Sequence, residues 1–275
     1  MTLALQWQPI RVIAGKEFRD RIRSRWVLAV SLVFTVFTLA ISYFGAVSQG
    51  TVGFQGIEPL IASLVSLSIY LLPLIALILG FDALVGERER GTLNLLLSYP
   101  ISRAELLLGK YLGLALAMTC STLAGFGLAG LVVVIKLPMA DWFQYAGFMV
   151  SAVLLGWVFL SLAVAASAFC ASRTAASGAA IAIWFFFVLV YDLLLLGVLV
   201  LSGGSALGAL FPVLLMLNPA DIFRILNIFG PADLHTLFGL LSVFPAGLAD
   251  PLLLGSIMLL WVAAPLGLAA WRFKP

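Results

Sequence analysis

Six stretches of this sequence run for about twenty residues or more with almost no charge: 26–45, 60–82, 106–135, 143–171, 177–201 and 252–271. A helix rises about 1.5 Å per residue, so roughly 20 apolar residues cross the hydrocarbon of a bilayer. With no water there, each backbone N–H and C=O needs an internal partner, which confines such segments to helices. The pattern predicts an all-α integral membrane fold with six transmembrane helices. The third and fourth runs are long enough to tilt or to protrude. Pro73 and Pro265 lie inside the second and sixth, where kinks are expected. Charged residues make up 10% of the 275 positions, against about 25% in soluble domains. The length suits one membrane domain spanning 1–275.

Charge placement sets the expected orientation. Thirteen of the fifteen Lys and Arg residues lie in the N-terminal segment, in the 82–113 hairpin, at Arg173, or at Arg272 and Lys274. Only Lys136 and Arg224 fall on the other side, with Glu58, Asp141, Asp221, Asp233 and Asp250. Cations collect on the cytoplasmic face, so both termini and the hairpin are expected there. The basic pI near 9.0 is explained by these flanking cations, and nucleic acid is not an expected partner. Residues 5–25 read as an amphipathic helix lying on the membrane. Ile10, Ile13, Phe18, Ile22 and Trp26 form its apolar spacing, and six cations occupy the remainder. The first apolar run is span-length and has no clear small-residue cleavage site, so a signal peptide is not expected.

Residues 202–250 form the longest stretch between spans. Ala206–Leu217, Asp221–Phe229 and Asp233–Phe244 are apolar, helix-compatible pieces punctuated by Pro212, Pro219, Pro231 and Pro245. Asp221 and Asp233 each follow a Pro-Ala and are candidate caps. Short extracytoplasmic helices between spans 5 and 6 are expected, dipping into the outer leaflet or covering the bundle's mouth. They form either a lid or a docking face for another protein, since apolar surface outside lipid needs cover.

Catalytic chemistry is nearly absent. Gly109-Lys110 is followed by Tyr111, and Glu105 stands where a nucleotide-binding loop needs glycine. No H-E-x-x-H or G-x-S-x-G is present. His235 reads as a surface or packing residue. Cys120 and Cys170 fall inside apolar runs, which implies no disulfide framework. Their thiols, with Met118, Met149 and Met258, are of the soft type that suits copper(I). Met118 and Cys120 point to different faces of a helix, however, and packing is the favoured reading, so no metal site is assigned. Asp192, inside span 5, is the one possible intramembrane polar site. A carboxylate there costs about 2.5–3.5 kcal/mol unless it faces the bundle or is protonated. It lines a path, pairs across a dimer axis, senses protons, is a neutral acid bonded to a neighbouring hydroxyl, or lies near the outer edge of a tilted helix. Gly109 and Gly113 form a G-x-x-x-G, with Gly125, Gly127 and Gly130 beyond, and permit close helix contact within one subunit or between two.

The segment between spans 2 and 3 is the most specific. Glu87, Arg88, Glu89 and Arg90 end an apolar helix, and Gly91 offers a left-handed stop. Thr92–Ser98 carries leucines at 93, 95, 96 and 97, Pro100 breaks it, and Ser102 with Glu105 forms a capping box for the next helix. Asp82 is expected to pair with Arg88 or Arg90. The run Glu87-Arg88-Glu89-Arg90-Gly91-Thr92, then Leu95-Leu96-Leu97, Pro100-Ile101-Ser102-Arg103 and Gly109-Lys110, resembles the membrane subunit of type 2 ABC transporters. There, a cytoplasmic coupling helix sits between the second and third spans. Asn94 departs from that pattern, in which an acid is common.

The resemblance implies a non-catalytic permease subunit of the bacterial inner membrane, paired with a second copy of itself on two copies of a cytoplasmic ABC ATPase. ATP and Mg would be held by that ATPase, with no cofactor in this chain. The coupling hairpin would be 87–105. Glu87, Arg88, Glu89, Arg90, Leu95, Leu96, Leu97 and Arg103 would meet the ATPase, and spans 2 and 3 would carry its motion outward. The output would be substrate export or force on a periplasmic accessory protein at 202–250. The alternatives are an exporter of lipid, drug or peptide, or a stand-alone membrane scaffold or channel.

Overall fold

The computed structural model describes residues 6–44, 57–134, 141–201, 211–228, 248 and 250–273. Lys136, Asp233, His235 and the expected 233–244 piece lie outside the described residues. Among the described residues every regular element is helical. They are α1 (Trp7–Arg23), α2 (Trp26–Phe44), α3 (Ile57–Gly80), α4 (Val85–Glu89), α5 (Thr92–Leu97), α6 (Arg103–Val134), α7 (Asp141–Phe169), α8 (Arg173–Phe185), a π-helical turn (Phe186–Val190), α9 (Tyr191–Leu201), α10 (Phe211–Met216), α11 (Pro219–Ile228) and α12 (Pro251–Arg272). Among the described residues there are six candidate membrane spans, at Trp26–Tyr43, Pro59–Glu89, Arg103–Leu131, Trp142–Phe169, Arg173–Leu201 and Pro251–Arg272. α3 and α12 run unbroken through Pro73 and Pro265.

The bundle is arranged around α7, which packs against α3, α6, α11 and α12. Of its span, 72% is buried within the chain, against 22% for the first and last spans and 11% for span 5. The peripheral spans therefore turn apolar side chains outward, as helices facing lipid or another subunit do. An aromatic chain runs through the interior: Phe34 to Phe126 at 4.8 Å, Phe126 to Phe148 at 4.9 Å, and Phe148 to Phe223 of α11 at 6.2 Å between ring centroids.

α6 forms one long contact face, and its glycines explain how. A Cβ at Gly109 would lie 2.7 Å from the Ile13 Cβ. At Gly113 it would lie 2.6 Å from the Ala14 carbonyl oxygen, and at Gly125, 2.5 Å from the Phe34 Cβ. These positions let α1 and α2 lie directly on α6, so the G-x-x-x-G is used within the chain. Ser31 and Thr35 seal the second contact, donating to the Ser121 carbonyl at 3.2 Å and the Gly125 carbonyl at 3.1 Å. The face of α1 that packs carries Ile10, Ala14 and Glu17, while Ile22 is exposed. It differs from the apolar stripe read along the sequence because the glycine groove admits small residues and a buried cation draws Glu17 inward.

Candidate functional site

The charged hairpin folds as a rigid elbow. α4 ends at Glu89 with Arg90 as its cap, Gly91 adopts φ 72° in the left-handed region, and α5 begins at once. That backbone favours glycine because a Cβ would crowd the following carbonyl. At the start of α4, the Leu84 and Val85 N–H groups both donate to the Ser167 hydroxyl of α7 at 3.0 Å, which satisfies two donors that a helix start leaves open. On the far side, the Ser102 N–H donates to Glu105 at 2.7 Å, and the Glu105 N–H donates to the Ser102 hydroxyl at 3.2 Å. This reciprocal pair is the capping box. Glu105 also accepts from the Gln6 N–H at 2.7 Å, which ties the entry of α1 to the elbow.

Behind the elbow lies a buried cation, Lys110. Its ammonium bonds Glu17 of α1 at 2.6 Å and Glu87 of α4 at 3.0 Å, with all three side chains at most 13% exposed. Thr92 closes the group by donating to the Glu87 carboxylate. Glu87 therefore faces the interior. The other three charges of the run are exposed, and two of them turn toward the start of α8. Arg88 donates to the Cys170 carbonyl at 2.8 Å, and Glu89 accepts from the Arg173 N–H at 2.7 Å. Arg90 bonds the Gly86 carbonyl at 3.1 Å.

Asp82 has Arg173 as its principal partner, at 2.6 and 2.8 Å, with Arg90 more distant at 3.9 Å. Of the two expected partners, Arg90 is thus present, while Arg88 reaches across to Cys170; the added partner is Arg173. Of the leucine triplet, Leu95 is 67% exposed, whereas Leu96 and Leu97 pack against the core. Tyr99 is equally exposed. Arg103 turns to the C-terminal end, donating to the Phe273 carbonyl at 3.3 Å and lying 5.6 Å from that ring's centre. A groove of about 450 Å³ opens between α1 and the elbow, lined by Pro9, Val12, Ile13, Leu96, Tyr99 and Ile101 among others.

At the opposite end, Asp192 bonds a partner inside its own chain. Arg224 of α11 reaches Asp192 at 3.0 Å with one nitrogen and Asp221 at 2.6 Å with the other. Asn218 donates to Asp221 at 2.9 Å and accepts from the Ala220 N–H at 3.0 Å. The cap of α11 is thus Asn218, with Asp221 one turn inside. Asp221 has no exposed surface; burial pushes its carboxyl up, against the pull of Arg224. Among the described residues no group of three or more His, Cys, Asp or Glu could hold a metal ion. Met118 and Met258 are buried in packing, and Cys120 is exposed on α6.

Sequence reading did not single out Lys110, Glu17, Ser167 or Arg224 as site residues. Lys110 carried a usable signal, because a lysine within an apolar helix needs carboxylate partners. Ser167 had none, since its role depends on where another helix begins.

The elbow thus lies between the second and third of the six candidate spans, braced from within and with Leu95 and Tyr99 exposed at its tip. The match to the family described as "ABC-2 family transporter protein" covers residues 11–275, and the chain belongs to that family. It is 45% identical over 268 residues to a Pseudomonas aeruginosa protein named "Probable ABC transporter permease protein NosY", covering 95% of this chain and 96% of the relative. A protein of the same name from Stutzerimonas stutzeri is 44% identical over 267 residues, with the same coverage. The chain is accordingly a multi-pass ABC-2 type permease.

Proposed function

We propose that this permease couples ATP hydrolysis by a separate cytoplasmic ABC ATPase to work on the far side of the inner membrane. Two copies of the chain sit on two copies of the ATPase, which holds the ATP and Mg. Both termini and the elbow face the cytoplasm. The observation that carries this reading is the elbow itself, with Leu95 and Tyr99 exposed at its tip and Lys110, Ser167 and Arg173 bracing it from behind. A surface that is apolar outside and fixed inside can transmit a push, because a braced helix cannot absorb it by bending. The groove beside α1 gives an inserted side chain of the ATPase a seat.

The resemblance to NosY permeases over 95% of the chain supports a role in maturing a periplasmic nitrous oxide reductase during denitrification. The work delivered is then assembly of the enzyme's copper–sulfur centres. Residues 202–250 receive the periplasmic accessory protein, and either a sulfur species crosses the dimer or force alone does. Force transmission is favoured because the one charged group inside span 5, Asp192, is engaged by Arg224.

The test is affinity purification in mild detergent from the native membrane, with mass spectrometry of what co-elutes. An ABC ATPase in equal number is expected. Recovery of this chain alone, as a stand-alone scaffold or channel would give, would refute the reading.

A further inference from the structure

Two bonded joints on span 5, one at its start and one about two-thirds of the way along, suggest a purpose for that helix. At the elbow end, the Arg173 guanidinium grips Asp82 at 2.6 and 2.8 Å, and the Arg173 N–H donates to Glu89 at 2.7 Å. Arg88 reaches the Cys170 carbonyl just before α8 at 2.8 Å. Farther along, between Phe187 and Asp192, the span holds α10 and α11 three times over. Asp192 pairs with Arg224 at 3.0 Å, the Tyr191 hydroxyl donates to the Leu214 carbonyl at 2.6 Å, and Asn218 donates to the Phe187 carbonyl at 3.0 Å.

Between the joints the span is only lightly held. Ala176, Ala180, Val188 and Leu195 are its buried residues, and the first two are small enough for a neighbouring helix to slide past. Trp184 makes one polar contact along this stretch, donating to the Tyr70 carbonyl of α3 at 3.0 Å. The π-helical turn Phe186–Val190 falls just before Tyr191 and Asp192. Such turns change helix register locally and expose carbonyls, and they recur at functional sites. Here one of those carbonyls, that of Phe187, holds the cap of α11. α7 is a poor moving part by comparison, because most of it is buried and close-packed interiors resist small displacements.

We propose that the Arg173–Asp192 part of span 5 is the rod that carries elbow movement to α10 and α11, with Arg173 and Asp192 as the positioning residues at the two ends of that part. This rests on the coupling proposed above, and it assigns the transmission to span 5 in place of spans 2 and 3. Pushing the elbow displaces Asp82 and Glu89, which move the start of α8 through Arg173. The rod then shifts Asn218, Leu214 and Arg224 together. Because α11 is also bonded to α7 through Asn227 and Ser151 at 2.9 Å, the shift pivots α11 about that contact.

The test uses the permease with its co-purified ATPase in proteoliposomes, with Cys120 and Cys170 replaced by serine. Spin labels at Leu217→Cys and Leu252→Cys report α10–α11 against the start of α12. A second pair at Tyr99→Cys and Trp271→Cys reports the elbow. ATP is expected to change both distances in the otherwise unaltered complex. Arg173→Gln and Asp192→Ala should each at least halve the 217–252 change while the 99–271 change persists. The double variant should lose no more than the more affected single one, because the two residues act in series. Arg173→Lys, which restores one of the two contacts to Asp82, should recover part of the change. A full 217–252 change in either single variant overturns the rod, as does an α10–α11 pair that stays still while the elbow moves. An elbow that does not respond to ATP overturns the coupling reading and the rod with it.

Discussion

Lys110 is the residue on which the elbow's position most depends. One ammonium serves two carboxylates from two different helices, in a site from which water is nearly excluded. Removing one partner of a buried ion pair costs about 3–5 kcal/mol, chiefly because the remaining charge is stranded. Lys110→Met should therefore lower the thermal unfolding midpoint in detergent markedly, and adding Glu17→Gln with Glu87→Gln should recover much of the loss. If Lys110→Met alone melts like the unaltered protein, the buried network is not what braces the elbow. Gly91 carries the other local requirement. A side chain there meets no neighbour, so the cost of Gly91→Ala is backbone strain alone, about 1–2 kcal/mol. Gly91→Asn, which tolerates the left-handed region better, should lie between the two in unfolding experiments.

At the scale of elements, α1 and span 5 show two ways a helix can be attached. α1 lies in a groove made by Gly109 and Gly113, where an added Cβ would meet backbone atoms that cannot rotate away. Gly113→Leu should displace α1 and cost about 1–3 kcal/mol by overpacking. It should also speed proteolysis between α1 and α2. Gly127, whose surroundings are open, is the control position and should tolerate alanine without that change. Span 5 is held instead by polar joints at its start and around Asp192.

The difference also explains what could be read from the sequence. Six apolar runs, the capping box of Ser102 and Glu105, and the Gly91 stop are local patterns, and local patterns fix helices and their ends. The G-x-x-x-G announced a close contact without saying with what. Partners separated by 23 to 93 residues, such as Lys110 with Glu87 and Glu17, depend on how helices pack, and no periodicity encodes that. Asp192 stood out as a charge needing company. Its companion Arg224 looked like a loop cation because α11 is too short to register as a span.

For the whole molecule, the described ion pairs gather at two ends of one bundle. The elbow, α1, the start of α8 and the end of α12 share one end, and α11 with Asp192 forms the other. The coupling proposed above needs such an arrangement, with an ATPase contact and a working contact joined by helices that cross the bilayer. The lightly buried outer faces of the first, fifth and last spans are where lipid and a second copy of the chain would lie. The central claim is that the elbow is the cytoplasmic seat of the ATPase. The most direct measurement places a single cysteine at Tyr99 in a variant lacking Cys120 and Cys170, then probes sealed vesicles of each orientation with a membrane-impermeant maleimide and a short cross-linker. The account predicts labelling only from the cytoplasmic side, protection when the ATPase is bound, and a cross-linked permease–ATPase product. Labelling of position 99 from the periplasmic side would contradict it.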